Sequence, residues 1–367
     1  MNNYTGNSAI AVQDIELSQY IHPNTNVSLY HFDIPDQVFS FMMEFISYGT
    51  IFIALFGMSG NTLIIITFAR IGLSDSINLS YCALGISDIL CITALTWNAI
   101  CFIPPFLELD LPFLPAEVNV LTGGAVIDML SKTTAWLTAF ISLERCLCVV
   151  FPLKVKDIVR PKRTVFIIVM IFFMTIAPLS CVSFYIYVFV DKFDAKRNIT
   201  LIGVRYRKSS LSDALYDFNF IYKIAFMNTI PLVIVFVCSA SLAVHLRRSA
   251  TWRLEQSSNI RDRKNLSTAH DDKSNRKYAK DTRVAQTVLA IATCFIVLET
   301  LGTVKLFVSL TWTEFRPIGA YSRLFKFISR LAFLFSLTNS SVNFIIYYTM
   351  GSKFRHTVKR VLCFKRA

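Results

Sequence analysis

The chain has 367 residues, 54% of them hydrophobic and 14% aromatic, with a mean hydropathy of +0.51. Only 17% are charged, against about 25% in a typical soluble domain, which excludes an ordinary water-soluble fold. The formal charge of +13 does not point to nucleic acid, because the basic residues alternate with apolar runs and form no continuous patch.

Residues 1–41 carry four acids, Asp14, Glu16, Asp33 and Asp36, and no Lys or Arg. They hold no apolar run behind a basic start. No cleaved leader is therefore expected, and this tail should cross with the first span. A hydrocarbon core of about 30 Å needs roughly 20 apolar residues per helix. Seven runs have that length: 42–69, 78–103, 120–147, 164–190, 216–246, 283–310 and 323–349. The expected fold class is all-α membrane, a seven-transmembrane bundle over 42–349. Two connections are long, 191–215 and 247–282. The second is Ser- and Asn-rich and reads as a flexible loop with helical ends. Residues 247–283 hold eleven Lys or Arg against five acids.

After the last run, residues 350–367 hold six Lys or Arg and no acid. Phe354, Val358 and Leu362 recur at helical spacing, which predicts a short amphipathic eighth helix in the inner interface. Cys363 either pins it through S-acylation or stays a plain thiol. The positive-inside rule then puts the N-terminus outside the plasma membrane and the C-terminus in the cytoplasm. The sequons at Asn3, Asn26 and Asn198 fall on the outer face, where glycosylation is expected, and that at Asn265 falls inside.

Ions inside a span cost about 2.5–3.5 kcal/mol each on insertion scales, so they should face the bundle interior and be paired. The candidates are Asp88, Asp128, Lys132, Lys223, Glu299 and Lys305, joined by Asn61, Asn98, Asn228, Asn339 and Asn343. Asp128 and Lys132 stand four apart on one face and are expected to pair within their helix, with Glu299 a competitor for Lys132. Two readings stay open: polar glue between helices, or the polar floor of a ligand pocket that opens outward. The nine cysteines show no metal-ligand spacing. No motif of a hydrolase, a metalloprotease or a phosphate-binding loop is present, so no enzyme is expected. No repeat of the transporter kind is visible.

The order of several motifs over about 42–364 resembles rhodopsin-like G-protein-coupled receptors, in the style of invertebrate peptide or chemosensory receptors. The motifs are Gly60–Asn61, the LGISD ending in Asp88, the ERC of Glu144 to Cys146 followed by Phe151 to Leu153, Pro231, the NSSVNFIIY of Asn339 to Tyr347, and Phe354–Arg355. The resemblance implies that Asp88 holds an allosteric sodium ion with Thr134, Asn339, Ser340 and Asn343. The alternative is a protonated, hydrogen-bonded Asp88. It implies that Glu144 restrains Arg145 until a ligand binds, that the sixth span then swings out, and that a cleft opens for a heterotrimeric G protein. Asn343 and Tyr347 belong to that machinery. The alternative is an interfacial, snorkelling arginine. The implied ligand pocket holds Asp128, Lys132, Phe295, Glu299 and Lys305.

The departures from the family pattern are several. Cys146 replaces a Tyr, Phe344 the Pro of the seventh span, Ser239 a Tyr of the fifth, and Phe295 and Val297 the Trp and Pro of the sixth. The fourth span lacks its Trp. They bear on how efficiently the chain couples. Val120 stands where the family has an outer Cys, and 191–215 has none, so the outer loop must be held some other way or be loose. A Cys101–Cys181 bond stays open. Leu337 replaces the lysine of an opsin. Ile127 replaces the aspartate of amine receptors, one residue and about 100° from Asp128. Basic residues at the outer mouth, among them Arg205, Arg207 and Lys208, suggest an anionic ligand such as an acidic peptide, or else pair with the acids of the N-terminal tail. The expected partners are that ligand, the G protein and the lipid bilayer. The other readings are a non-signalling decoy and a seven-span carrier.

Overall fold

The computed structural model describes residues 34–150, 160–194, 197–261, 269–316 and 319–362, with side chains described outside 249–282. Asn3, Asn26, Asn265, Cys363 and the Phe151–Leu153 motif lie outside the described residues. Seven helices are long and apolar enough to cross a membrane, and the chain is a multi-pass membrane protein.

Helix α1, Asp36–Ile71, starts after Pro35 with an acid in its first turn, where the helix dipole favours it. It stops at Gly72, whose φ of 112° a side-chain-bearing residue would resist. Helix α2, Ser76–Ile100, is capped by the Asp75 carboxylate, which accepts from the Ile77 N–H. Helix α3 runs Pro115–Asn119, then a π-helical Val120–Ala125, then Val126–Val150. Helix α4 is Pro161–Ile186. Helix α5 runs Ser210–Tyr222, a π-helical Lys223–Thr229 and Ile230–Arg261. Helices α6 and α7 are Ala269–Thr311 and Ser322–Met350, and α8 is Ser352–Leu362.

The packing follows the bilayer. Phe41, Phe45, Phe52, Phe166, Phe173 and Phe236 are exposed on the outside of the bundle, where lipid rather than water meets them. Inside, the largest cluster lies toward α8: Phe68, Tyr81, Leu137, Leu242, Val288, Tyr347 and Phe354. A second lies around Cys91, Leu95, Ile127 and Leu337. Small residues let helices approach. A Cβ on Gly57 of α1 would come 2.3 Å from the Ser341 hydroxyl of α7.

Two expectations need correction. The fourth span ends at Ile186, not 190, because Tyr187–Asp194 is strand β1. It pairs antiparallel with β2, Ile199–Tyr206, from Tyr187↔Tyr206 to Asp194↔Ile199. A short apolar run reads alike as helix or strand until its partner is known. The connection 247–282 has the expected helical ends, since α5 continues to Arg261 and α6 starts at Ala269, and its middle lies outside the described residues. Formed helices propagate at little cost per residue. In α8, Phe354 and Val358 are buried but Leu362 is exposed.

Among the described residues, the β1–β2 hairpin is held without a disulfide. Every described cysteine is free; Cys101 is fully buried at the end of α2, whereas Cys181 is exposed on α4. A carboxylate does the joining instead. Glu117, in the first turn of α3 and 5% exposed, accepts from Lys192 Nζ at 2.6 Å through Oε1 and from the Val204 N–H at 2.8 Å through Oε2. The backbone adds Leu114 N–H to Ile202 O and Ile202 N–H to Pro112 O, both at 2.9 Å. Gly203 makes room, because a Cβ there would sit 2.5 Å from Glu117 Oε2. Glu117→Ala takes an acid away from Lys192 and strands a buried N–H. It should cost about 2–4 kcal/mol, seen as a lower Tm and faster hydrogen exchange at Val204. Unchanged exchange there would show that the backbone contacts suffice.

Candidate functional site

The C-terminal end of α3 carries the acid–base pair. Glu144 is buried, and its Oε2 accepts from the Ser80 hydroxyl of α2 at 3.2 Å. Arg145 Nη2 lies 3.3 Å from Glu144 Oε1. The pair is incompletely bonded: Glu144 Oε1 and Arg145 Nε have no hydrogen-bond partner. Tyr347 of α7 packs on Tyr81 with ring centroids 4.7 Å apart and also on Phe68 and Phe354. The hydroxyls of Tyr81 and Tyr347 are both buried without a partner, as is that of Ser239. This end is held more by ring packing than by polar bonds, an arrangement with few directional contacts to break when helices move. Phe344 stacks on Tyr348 and meets Phe354 edge to face, so the residue in the proline position helps to seat α8.

One helical stretch outward lies Asp88, fully buried on α2. Its carboxylate accepts from Thr134 Oγ1 at 3.2 Å and from Asn343 Nδ2 at 2.8 Å, with the Ser340 side chain a third hydrogen-bonding neighbour. Ser87 and Thr134 share a hydrogen bond at 2.9 Å. Asn61 donates to the carbonyls of Gly57 and Ser340, and its own Oδ1 is buried without a partner. Asn339 is buried nearby on α7. Among the described residues, it makes no hydrogen bond to Asp88. Asn343 therefore belongs to this cluster by contact, whereas Tyr347 belongs to the aromatic one. Its neighbours turn a hydroxyl and an amide N–H to it, and among the described residues no basic side chain is bonded to it, so its charge needs a small cation beside it. An acid so buried must otherwise hold a proton.

The third group lies nearer the hairpin. Asp128 pairs with Lys223 Nζ of α5 at 2.6 Å. The expected partner, Lys132, forms no ion pair within 4 Å among the described residues, and neither does Glu299. The sequence shows which residues share a helix face but not which neighbouring helix comes opposite. Here α5 delivers the first residue of its π-helical stretch, whose carbonyl also accepts from Asn228 Nδ2 at 2.9 Å. Single π turns recur at functional sites. Lys305 of α6 donates to Ser329 of α7 at 3.2 Å and stands 5.3 Å from the Phe325 ring centroid. Arg330 of α7 bonds Asn98 of α2 and lies 3.8 Å over the Phe102 ring. Phe295 lies among apolar side chains. It is 2% exposed and packs with Ala135, Val235 and Ala292 between α3, α5 and α6.

Sequence reasoning missed Glu117, Ser80 and Ser329. Nothing local distinguishes them, since each acts on a group far away in the chain. At the hairpin tip, Asn198 is exposed and adopts φ 53°, a left-handed conformation that Asn tolerates better than most residues. Burial and the bond to Asp213 hold the Tyr206 phenol protonated well above its usual range.

A family model described as serpentine type 7TM GPCR chemoreceptor Srw matches residues 45–365. A comparison with curated proteins gave no significant match.

Proposed function

The chain belongs to the Srw family of serpentine 7TM GPCR chemoreceptors, a receptor family, and from that premise we propose that it turns binding of an extracellular ligand into activation of a heterotrimeric G protein. The observation that carries the reading is the buried Glu144 held between Arg145 and Ser80 at the inner end of α3. A ligand that favours an outward position of α6 shifts the population toward a state in which Arg145 is released. The protein sits in the plasma membrane with its N-terminus and the hairpin outside. There Asn198 takes a glycan, and the ligand, peptide or smaller, meets Asp128, Lys132, Glu299 and Lys305.

Purified receptor in lipid nanodiscs, mixed with a panel of G proteins, should raise nucleotide exchange above that of empty nanodiscs. A flat response with every G protein, basal and ligand-driven, would sink the signalling reading. It would favour a non-signalling decoy, for which α6 supplies an argument: the helix runs unbroken without a proline, and Val297 is 65% exposed toward lipid. Unkinked, α6 keeps its full ladder of backbone bonds.

Asp88 is the sodium residue in this reading, with Thr134, Ser340, Asn343 and Asn339 around it. At ten times its Kd, an ion bound only by the folded state adds about 1.4 kcal/mol. Sodium chloride should therefore raise Tm by a few degrees over the same concentration of choline chloride, and Asp88→Asn should remove the difference. Equal melting of wild type in both salts would mean that Asp88 carries a proton instead.

A further inference from the structure

The charged group near the hairpin holds more cation than its own acids match. Lys132, Lys223 and Lys305 face Asp128 and Glu299, and Lys223 already occupies Asp128 at 2.6 Å. Lys132 and Lys305 remain electrostatic neighbours of that same, already paired carboxylate. Glu299 cannot serve Lys305 along α6. Six residues separate them, about 240° round the helix and 9 Å along it. Lys305 is thus the odd charge, half-buried, with a neutral hydroxyl at 3.2 Å and a ring at 5.3 Å in place of an acid. An ammonium in such a medium calls for a counter-anion. The hairpin residues Arg205, Arg207 and Lys208 are exposed and need none.

Beside Lys305 stands a group of rings. Phe325 meets Phe315 edge to face at 5.5 Å, and Trp312 meets Phe315 and Tyr321 at 6.0 and 5.0 Å. An anionic head and an aromatic body would both find their match here. We propose that Lys305, with Lys132 and Ser329, forms a subsite for the carboxylate of an aromatic ligand, either a free acid or the C-terminus of a peptide. The inference rests on the receptor reading and names the ligand chemistry of that site. A carboxylate seated there would tie α6 to α3 and α7, and so would make contacts that depend on where α6 stands.

Thermal unfolding of the full-length protein in detergent tests this without a G protein. With no ligand, Lys305→Met removes an unmatched charge and should raise Tm by about 2 °C or more, whereas Lys223→Met should lower it. On wild type, millimolar phenylacetate should raise Tm and phenylacetamide should not. A tripeptide ending in Phe with a free carboxyl, set against its C-terminal amide, separates the peptide source from the free acid. The subsite is overturned if Lys305→Met melts as low as Lys223→Met, or if neither acid stabilises more than its amide. An acid that binds yet drives no exchange leaves the subsite standing and removes the signalling reading. Exchange driven equally by acid and amide does the reverse.

Discussion

Arg145→Ala should cut basal and ligand-driven nucleotide exchange at least tenfold, while Glu144→Gln should raise basal exchange several-fold. The two signs come from one geometry. Arg145 is the cation at the inner end of α3, 16% exposed at its side chain, with Glu144 3.3 Å away. Remove the arginine and the G protein loses the group proposed to meet it. Glu144 then keeps only Ser80 as a partner. Remove the negative charge instead and the amide still reaches Ser80, while Arg145 loses its Coulombic restraint. A restraint of about 1.4 kcal/mol corresponds to a tenfold shift in population. A purely structural pair would lose activity with either change, because either change disturbs the same packing. Exchange in nanodiscs with purified G protein, normalised to folded receptor, separates the two cases. Loss in both variants would return Arg145 to the role of a snorkelling interfacial residue.

The second large effect concerns stability. Asp128→Asn leaves the Lys223 ammonium without its acid in the bundle. Breaking one side of a buried ion pair costs about 3–5 kcal/mol. Both side chains are partly exposed here, 21% for Lys223 and 36% for Asp128, so about 1–3 kcal/mol is expected. In a double-mutant cycle, Asp128→Asn with Lys223→Met should fall short of the sum of the single losses by at least about 1 kcal/mol. The cycle of Asp128→Asn with Lys132→Met should be close to additive. Coupling in the second cycle and not the first would restore the pair within α3 that sequence spacing suggests. The measurement is Tm or a denaturant midpoint in one detergent throughout.

The candidate site divides by distance along the chain. Asp88, Ser340 and Asn343 were legible because each stands in a motif, and Thr134 by its position in the family pattern, and in the structure Thr134, Ser340 and Asn343 surround Asp88. Glu144 and Arg145 are adjacent in sequence, so their proximity follows from the chain itself. Lys223 was visible as a buried ion but not as the partner of Asp128. Glu117 carried no signal at all: an acid in a first helical turn is common, and its two partners lie 75 and 87 residues away. The hairpin failed for a related reason. Strand bonds are made between segments, and only the pairing of Tyr187–Asp194 with Ile199–Tyr206 distinguishes that stretch from the end of a helix.

By itself, then, the amino-acid order determined the seven apolar helices, the amphipathic α8 and the set of charges that must be hidden from lipid. Those properties are additive along the chain: a bilayer demands about 20 apolar residues per crossing and satisfied backbone bonds within each segment. Only the tertiary structure decided how the hidden charges pair, that Lys223 rather than Lys132 takes Asp128, that Lys305 finds no acid, and that Glu117 stands in for a disulfide. Pairing depends on which helix faces meet and at what depth, and those are set by the packing of all seven helices together.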